Sequence, residues 1–125
     1  MIKNFLLVGV GGGLGSIARY LCQKWFNENY PYPFPWGTFA VNLAGCFLIG
    51  IIYAASEKST VVSPQARLFL ITGFCGGFTT FSTFAFENMN LIRSGDSIYF
   101  FIYTIASVVL GMAAVFGGIA VIKLL

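Results

Sequence analysis

Residues 71–88 read ITGFCGGFTTFSTFAFEN. They belong to an uncharged run from Leu68 to Phe86 that carries Gly76 and Gly77 at its centre, then Thr79, Thr80, Ser82 and Thr83 within five residues. Glycine weakens a helix, and Ser and Thr compete with the backbone for hydrogen bonds. If the run crosses a membrane, a break at the glycines falls near the bilayer midplane, where unpaired backbone is tolerated only inside protein or beside a wet cavity. Such a break aims the carbonyls ending one half-helix and the N–H groups opening the next at the same place. The carbonyls suit a cation such as Na⁺ and the helix N-terminus suits an anion. A simpler account has the glycines admitting a neighbouring helix and the hydroxyls bonding back to carbonyls of their own helix. Four hydroxyls in so short a space favour the break.

The rest of the chain supports a membrane setting. Of 125 residues, 58% are apolar and 9% charged, whereas soluble domains carry about 25% charged residues. The uncharged runs are Asn4–Ala18, Asn29–Ser56, Leu68–Phe86 and Ser97–Ile122. Crossing the hydrocarbon core takes about 20 apolar residues; the last three runs supply that or nearly so, and the first does so by taking in Arg19. The expectation is one all-α membrane domain over residues 1–125 with spans at about 5–26, 36–56, 67–90 and 97–123. Lys3 precedes an apolar stretch, but no clear small-residue cleavage site follows, so this stretch reads as the first span and not as a signal peptide.

Several classes are disfavoured. A net charge of +3 without a basic cluster gives no footprint for nucleic acid. There is no histidine, which removes the commonest general base and metal ligand, and an enzyme is not expected. Cys22, Cys46 and Cys75 are odd in number and unpaired in spacing, and read as small buried residues.

Along the chain, Gly9, Gly11, Gly12, Gly13 and Gly15 make the first span a close-packing surface. The link Asn27–Pro35 alternates prolines with aromatics, as suits an interfacial turn with an aromatic belt. Thr38, Asn42 and Gly45 share a face of the second span; Glu57–Gln65 is a polar link, and Arg93–Asp96 the turn before the last span. Lys3, Lys58, Arg67 and Lys123 gather on one side, and Lys24 and Arg93, with Arg19 nearby, on the other. So small an excess does not choose an orientation. No internal inverted repeat is visible, so any two-fold symmetry must come from a second chain.

Candidate site residues follow from the break. Phe81 and Phe84 share a helix face just after it, and their positive ring edges can meet a small anion. Asn42 is an uncharged donor within span two that serves equally well to bond a neighbouring helix, a contact worth about 0.6 kcal/mol. Tyr103 and Ser107 lie on one face of span four, which Gly111 continues. Arg19 either snorkels to the interface or draws anions into a vestibule. Glu87, one turn beyond Phe84, is placed near the other mouth without a role.

These stretches, GGGLGSIARY, WGTFAVNLAG and GFCGGFTTFSTF, resemble the Fluc (CrcB) family of bacterial fluoride channels over essentially the whole chain. The resemblance implies an antiparallel, dual-topology homodimer in the bacterial cytoplasmic (inner) membrane that passively exports fluoride. It implies a structural Na⁺ held by the backbone oxygens of Gly76 and Thr79 from both subunits. It also implies a fluoride pathway of Asn42, Phe81, Phe84, Ser82, Thr83, Tyr103 and Ser107, with Arg19 in a vestibule. Family pores can continue the span-four track with a further hydroxyl where this chain has Gly111. The rival readings are a four-span drug/proton antiporter, which needs a membrane-buried carboxylate, and a membrane subunit that transports nothing.

Overall fold

The computed structural model describes residues 1–30, 33–58 and 62–125. Pro31 and Tyr32 of the proline-rich link, and Ser59, Thr60 and Val61 of the polar link, lie outside the described residues. The described residues fold as α1 (Ile2–Asn29), α2 (Trp36–Lys58), α3 (Pro64–Arg67), a π-helical segment (Leu68–Cys75), α4 (Gly76–Phe78), α5 (Phe81–Arg93) and α6 (Ser97–Leu124). Among the described residues, four stretches are long and apolar enough to span a membrane: Ile2–Asn29, Trp36–Lys58, Pro64–Arg93 and Ser97–Leu124. Each extends past its uncharged run, because interfacial residues such as Lys24, Lys58 and Arg93 continue the helix into the polar boundary.

Small residues dictate the packing. Without a hydrophobic drive between helices in lipid, backbones must approach closely enough for dispersion to hold them. A side chain on Gly50 would strike the Val115 carbonyl, and one on Gly118 would strike that of Phe47, so α2 and α6 meet along this pair. In the same way Gly11 lies against Phe69 and Gly73, and Gly15 against the Phe74 carbonyl, which seats α1 on the π-helical segment. The glycines of the first span are thus not one uniform surface. Gly9 and Gly13 face open space, with nothing within 4 Å of an added side chain. Large apolar side chains such as Phe5, Leu14, Ile105 and Phe116 point outward, the distribution a lipid-facing bundle needs and a soluble one avoids. The interior is small and partly polar: Thr38 is 1% exposed and Tyr103 fully buried.

α4 ends at Phe78, and the Thr79 N–H makes its last helical bond, to the Cys75 carbonyl. Thr79 (φ −92°, ψ 159°) and Thr80 (φ −153°, ψ 121°) are extended, and α5 begins at Phe81. The interruption therefore falls on the threonines and not on Gly76 and Gly77, which are helical. The reason is packing: a side chain on Gly77 would overlap the Gly12 carbonyl, so Gly77 serves the close approach of α1, as the simpler account has it. β-Branched threonine, by contrast, accepts extended backbone readily.

The connections also follow local chemistry. Ser63 caps α3, its side chain accepting from the Ala66 N–H. At the other link Tyr30, Phe34, Trp36 and Phe39 form a cluster of tilted and edge-on rings that reaches Tyr103. Gly95, at φ 84°, is the left-handed residue that lets the chain turn from α5 into α6.

Candidate functional site

Every hydroxyl of the Thr79–Thr83 segment has a local partner, that of Ser82 lying 3.4 Å from Thr80 Oγ1. Thr79 closes the preceding turn twice, its N–H and its Oγ1 both donating to the Cys75 carbonyl (3.0 and 2.9 Å). Thr80 caps α5: its Oγ1 accepts from the Thr83 N–H at 3.2 Å and donates to Thr83 Oγ1 at 3.1 Å. Asn42 then takes both backbone groups of Thr80. Its Oδ1 accepts from Thr80 N at 2.8 Å, and its Nδ2 donates to Thr80 O at 3.1 Å. One amide N–H of Asn42 is left over for another acceptor.

These bonds bear on cation binding. The N–H that would close on Gly76 O in a continued helix belongs to Thr80, and it is spent on Asn42. The one for Thr79 O belongs to Thr83, and it is spent on the cap. Both carbonyls are thus deprived of their helical donors, and the donor set is of the hard-oxygen kind that Na⁺ takes. Gly76 is moreover exposed, with only Ile71 O near an added side chain, at 3.7 Å. The residues fit a backbone-ligated alkali cation. The intervening Gly77 O is engaged differently, accepting from Arg19 Nε at 2.9 Å.

Beside the interruption lies a groove of about 300 Å³ whose lining includes Asn42, Cys46, Thr79, Phe81, Phe84 and Ser107. Four residues of the expected fluoride pathway, on three different spans, therefore line one groove. Phe81 stands 79% exposed at its rim, 5.8 Å from the Phe84 ring, which in turn meets Tyr103 edge-on at 4.9 Å. Ser107 Oγ is buried without a hydrogen-bond partner among the described residues. Thr83 does not line this groove. It faces a second cleft of about 390 Å³ between α1 and α5, with Tyr20, Gln23, Lys24, Asn27, Glu28 and Glu87. Ser82 is exposed and lines neither.

A chain of hydrogen bonds runs from α1 through α2 to α5 and α6. Arg19 Nη1 approaches Gln23 Oε1 at 3.5 Å, and Gln23 Nε2 donates to Thr38 Oγ1 at 2.9 Å. Thr38 donates to Glu87 Oε2, and the Tyr103 hydroxyl to Glu87 Oε1, both at 2.8 Å. Arg19 is half-buried, its Nε on Gly77 O and its Nη1 beside Gln23 Oε1. Glu87 is inside the polar network, with both oxygens occupied, and is not merely near a mouth. Sequence reasoning left Glu87 and Gln23 without a role and gave Thr38 only a place on a face. The contacts join residues 15, 16 and 49 positions apart, so no local spacing could announce them.

Fold and site together define a small polytopic membrane protein with a polar lane between its helices. Residues 6–119 match the family described as CrcB-like protein, Camphor Resistance (CrcB), and the chain belongs to that family. Among similar proteins, one from Leptospira interrogans is 48% identical over 121 residues, covering 97% of this chain and 95% of its own. Another, from Chlorobium luteolum, is 52% identical over 120 residues, covering 96% and 92%. A third, from Flavobacterium psychrophilum, is 44% identical over 122 residues, covering 98% of both chains. Each is named a fluoride-specific ion channel, FluC.

Proposed function

We propose that this chain is a fluoride-specific channel that lets fluoride leave the cell passively across the bacterial inner membrane. The observation that carries the reading is the groove. It offers the amide of Asn42, the unpartnered hydroxyl of Ser107 and the rings of Phe81 and Phe84, with no carboxylate among its lining residues. Fluoride is small and strongly hydrated, so a path for it must replace water by several donors while binding weakly enough to release the ion. Hydroxyl and amide donors with ring edges meet both demands, and the naming of the relatives agrees with this chemistry.

The working unit is an antiparallel homodimer of dual topology. Gly76, Phe81 and Ser82 are exposed along the third span, and the glycine and the hydroxyl among them suit a second copy better than lipid. A two-fold axis in the membrane plane would bring the two interruptions, near the midplane, against each other. The carbonyls of Gly76 and Thr79 from both copies would then hold a structural Na⁺, whose charge offsets the exposed carbonyl dipoles.

A drug/proton antiporter is the main competitor, since Glu87 is a carboxylate within a span. Its two oxygens already accept from Thr38 and Tyr103, which leaves it poorly placed to hold a cationic drug. Purified protein in liposomes settles the matter. Fluoride efflux with chloride retained supports the channel, proton-coupled drug uptake supports the antiporter, and no flux of either leaves a structural subunit.

A further inference from the structure

On α6 the donors Tyr103 and Ser107 sit one turn apart, and the next position on that face is Gly111, which presents nothing to the groove. The space there is not featureless. A side chain placed on Gly111 would find a single neighbour within 4 Å, the Sγ of Cys46 at 3.7 Å. Cys46 is one turn along α2 from Asn42 and lines the same groove as Asn42 and Ser107. The second observation is independent of the cysteine: Ser107 Oγ, a turn away on the opposite wall, is buried and has no partner among the described residues. Cys46 and Ser107, whose hydroxyl is unsatisfied among the described residues, therefore line the same groove.

We propose that the Cys46 thiol is the pathway donor at the level where α6 has only Gly111, and that it makes the ion path specifically sensitive to small thiol reagents. This rests on the fluoride-channel reading. A thiol is a weak donor on a soft, polarizable atom, so it can hand a fluoride ion onward without retaining it. Oxygen at this level would hold the ion more firmly.

The test uses the full chain with Cys22→Ala as background, reconstituted in liposomes and treated with methyl methanethiosulfonate. Cys75, fully buried, is left in place. The Cys46 thiol gives its proton to water, and the resulting thiolate attacks the reagent's sulfenyl sulfur. A protein S–S–CH₃ bond forms, the reagent's S–S bond breaks, and methanesulfinate leaves. The expected results are a mass increase of one methylthio group and loss of fluoride efflux in the background protein, with Cys46→Ser conducting and insensitive. Cys46→Ala should lower efflux about threefold, the worth of a weak hydrogen bond, and Gly111→Ser in the Cys46→Ala protein should restore it by supplying a hydroxyl from the facing wall. A merely structural cysteine would not be rescued across the groove. Failure to label Cys46, equal inhibition of Cys46→Ser, or unchanged efflux in Cys46→Ala each overturns the inference while leaving the channel reading intact. Absence of fluoride efflux from the untreated parent overturns the channel reading itself.

Discussion

Asn42 and Thr80 pair as two strands of a sheet would, the side-chain amide of one matching both backbone groups of the other at 2.8 and 3.1 Å. Extended backbone inside a membrane needs such a partner, because lipid offers none. Asn42 is therefore a support for the interruption at Thr79–Thr80 as well as a candidate ion donor through its remaining N–H. The two roles separate experimentally. Asn42→Leu should abolish fluoride efflux and also lower the melting temperature in detergent, since stranding buried backbone groups costs about 1–3 kcal/mol each. Lost efflux with an unchanged melting temperature would mean that Asn42 acts on the ion alone.

The helices were legible because uncharged runs of sufficient length leave few alternatives, and the hydroxyl cluster marked the place where the third span departs from a plain helix. Its exact position was not legible. Propensity points to Gly76 and Gly77, but the Gly12 carbonyl holds Gly77 in close contact, and Asn42, 38 positions earlier, supplies the bonds that let Thr80 extend. The Gln23–Thr38–Glu87–Tyr103 chain stayed hidden for the same reason. It is made by the way four helices pack, and each member alone looks like an ordinary polar residue in a span.

Close glycine contacts make a graded prediction for stability. Gly50→Val and Gly15→Val put methyl groups into the Val115 and Phe74 carbonyls respectively, an overpacking that costs about 1–3 kcal/mol where neighbours can shift and more where, as here, they are backbone. Both variants should express poorly or melt early. Gly13→Val, with open space around it, should fold as the parent does. Equal stability of all three, measured by thermal aggregation in detergent, would show that the glycines do not set the helix spacing.

Gly76 tests the proposed dimer separately from the fold. Within one chain a side chain there has room, so Gly76→Val should keep its helical circular dichroism. Where two copies cross at this point the added methyls collide, and the variant should run as a monomer without fluoride efflux. Thr79→Ser keeps the carbonyl and the hydroxyl and should be mild. A dimeric, conducting Gly76→Val protein, with no Na⁺ in a well-ordered structure of the parent, would remove the crossing and the cation together.

Topology can be read directly. Glu57 is exposed at the end of α2, and Glu57→Cys in a protein lacking the native cysteines offers one thiol at one end of the bundle. An impermeant maleimide applied outside intact cells should label about half of the molecules, the remainder becoming reactive on lysis, since a small Lys and Arg bias allows both insertions. Labelling confined to one side would exclude dual topology.

The rings at the groove carry the last prediction. Phe81 is 79% exposed, so replacing it removes little packing within the chain. Phe84 touches Tyr103 edge-on at 4.9 Å and Phe81 at 5.8 Å, so its ring links the groove that it lines to the ring of Tyr103. Isoleucine at either position keeps an apolar side chain but deletes the positive ring edge that an anion can approach. Phe81→Ile and Phe84→Ile should therefore assemble normally and lose most fluoride efflux. Phe101→Ile, on an exposed face of α6 with 59% of its surface open, should conduct like the parent. Chloride should stay excluded throughout, because the larger ion needs a wider lane than these rings leave. The readout is fluoride and chloride appearance outside loaded liposomes. If both groove variants conduct like the parent, or chloride passes as readily as fluoride, the rings do not line the path, and the donors of α2 and α6 must carry the ion without them.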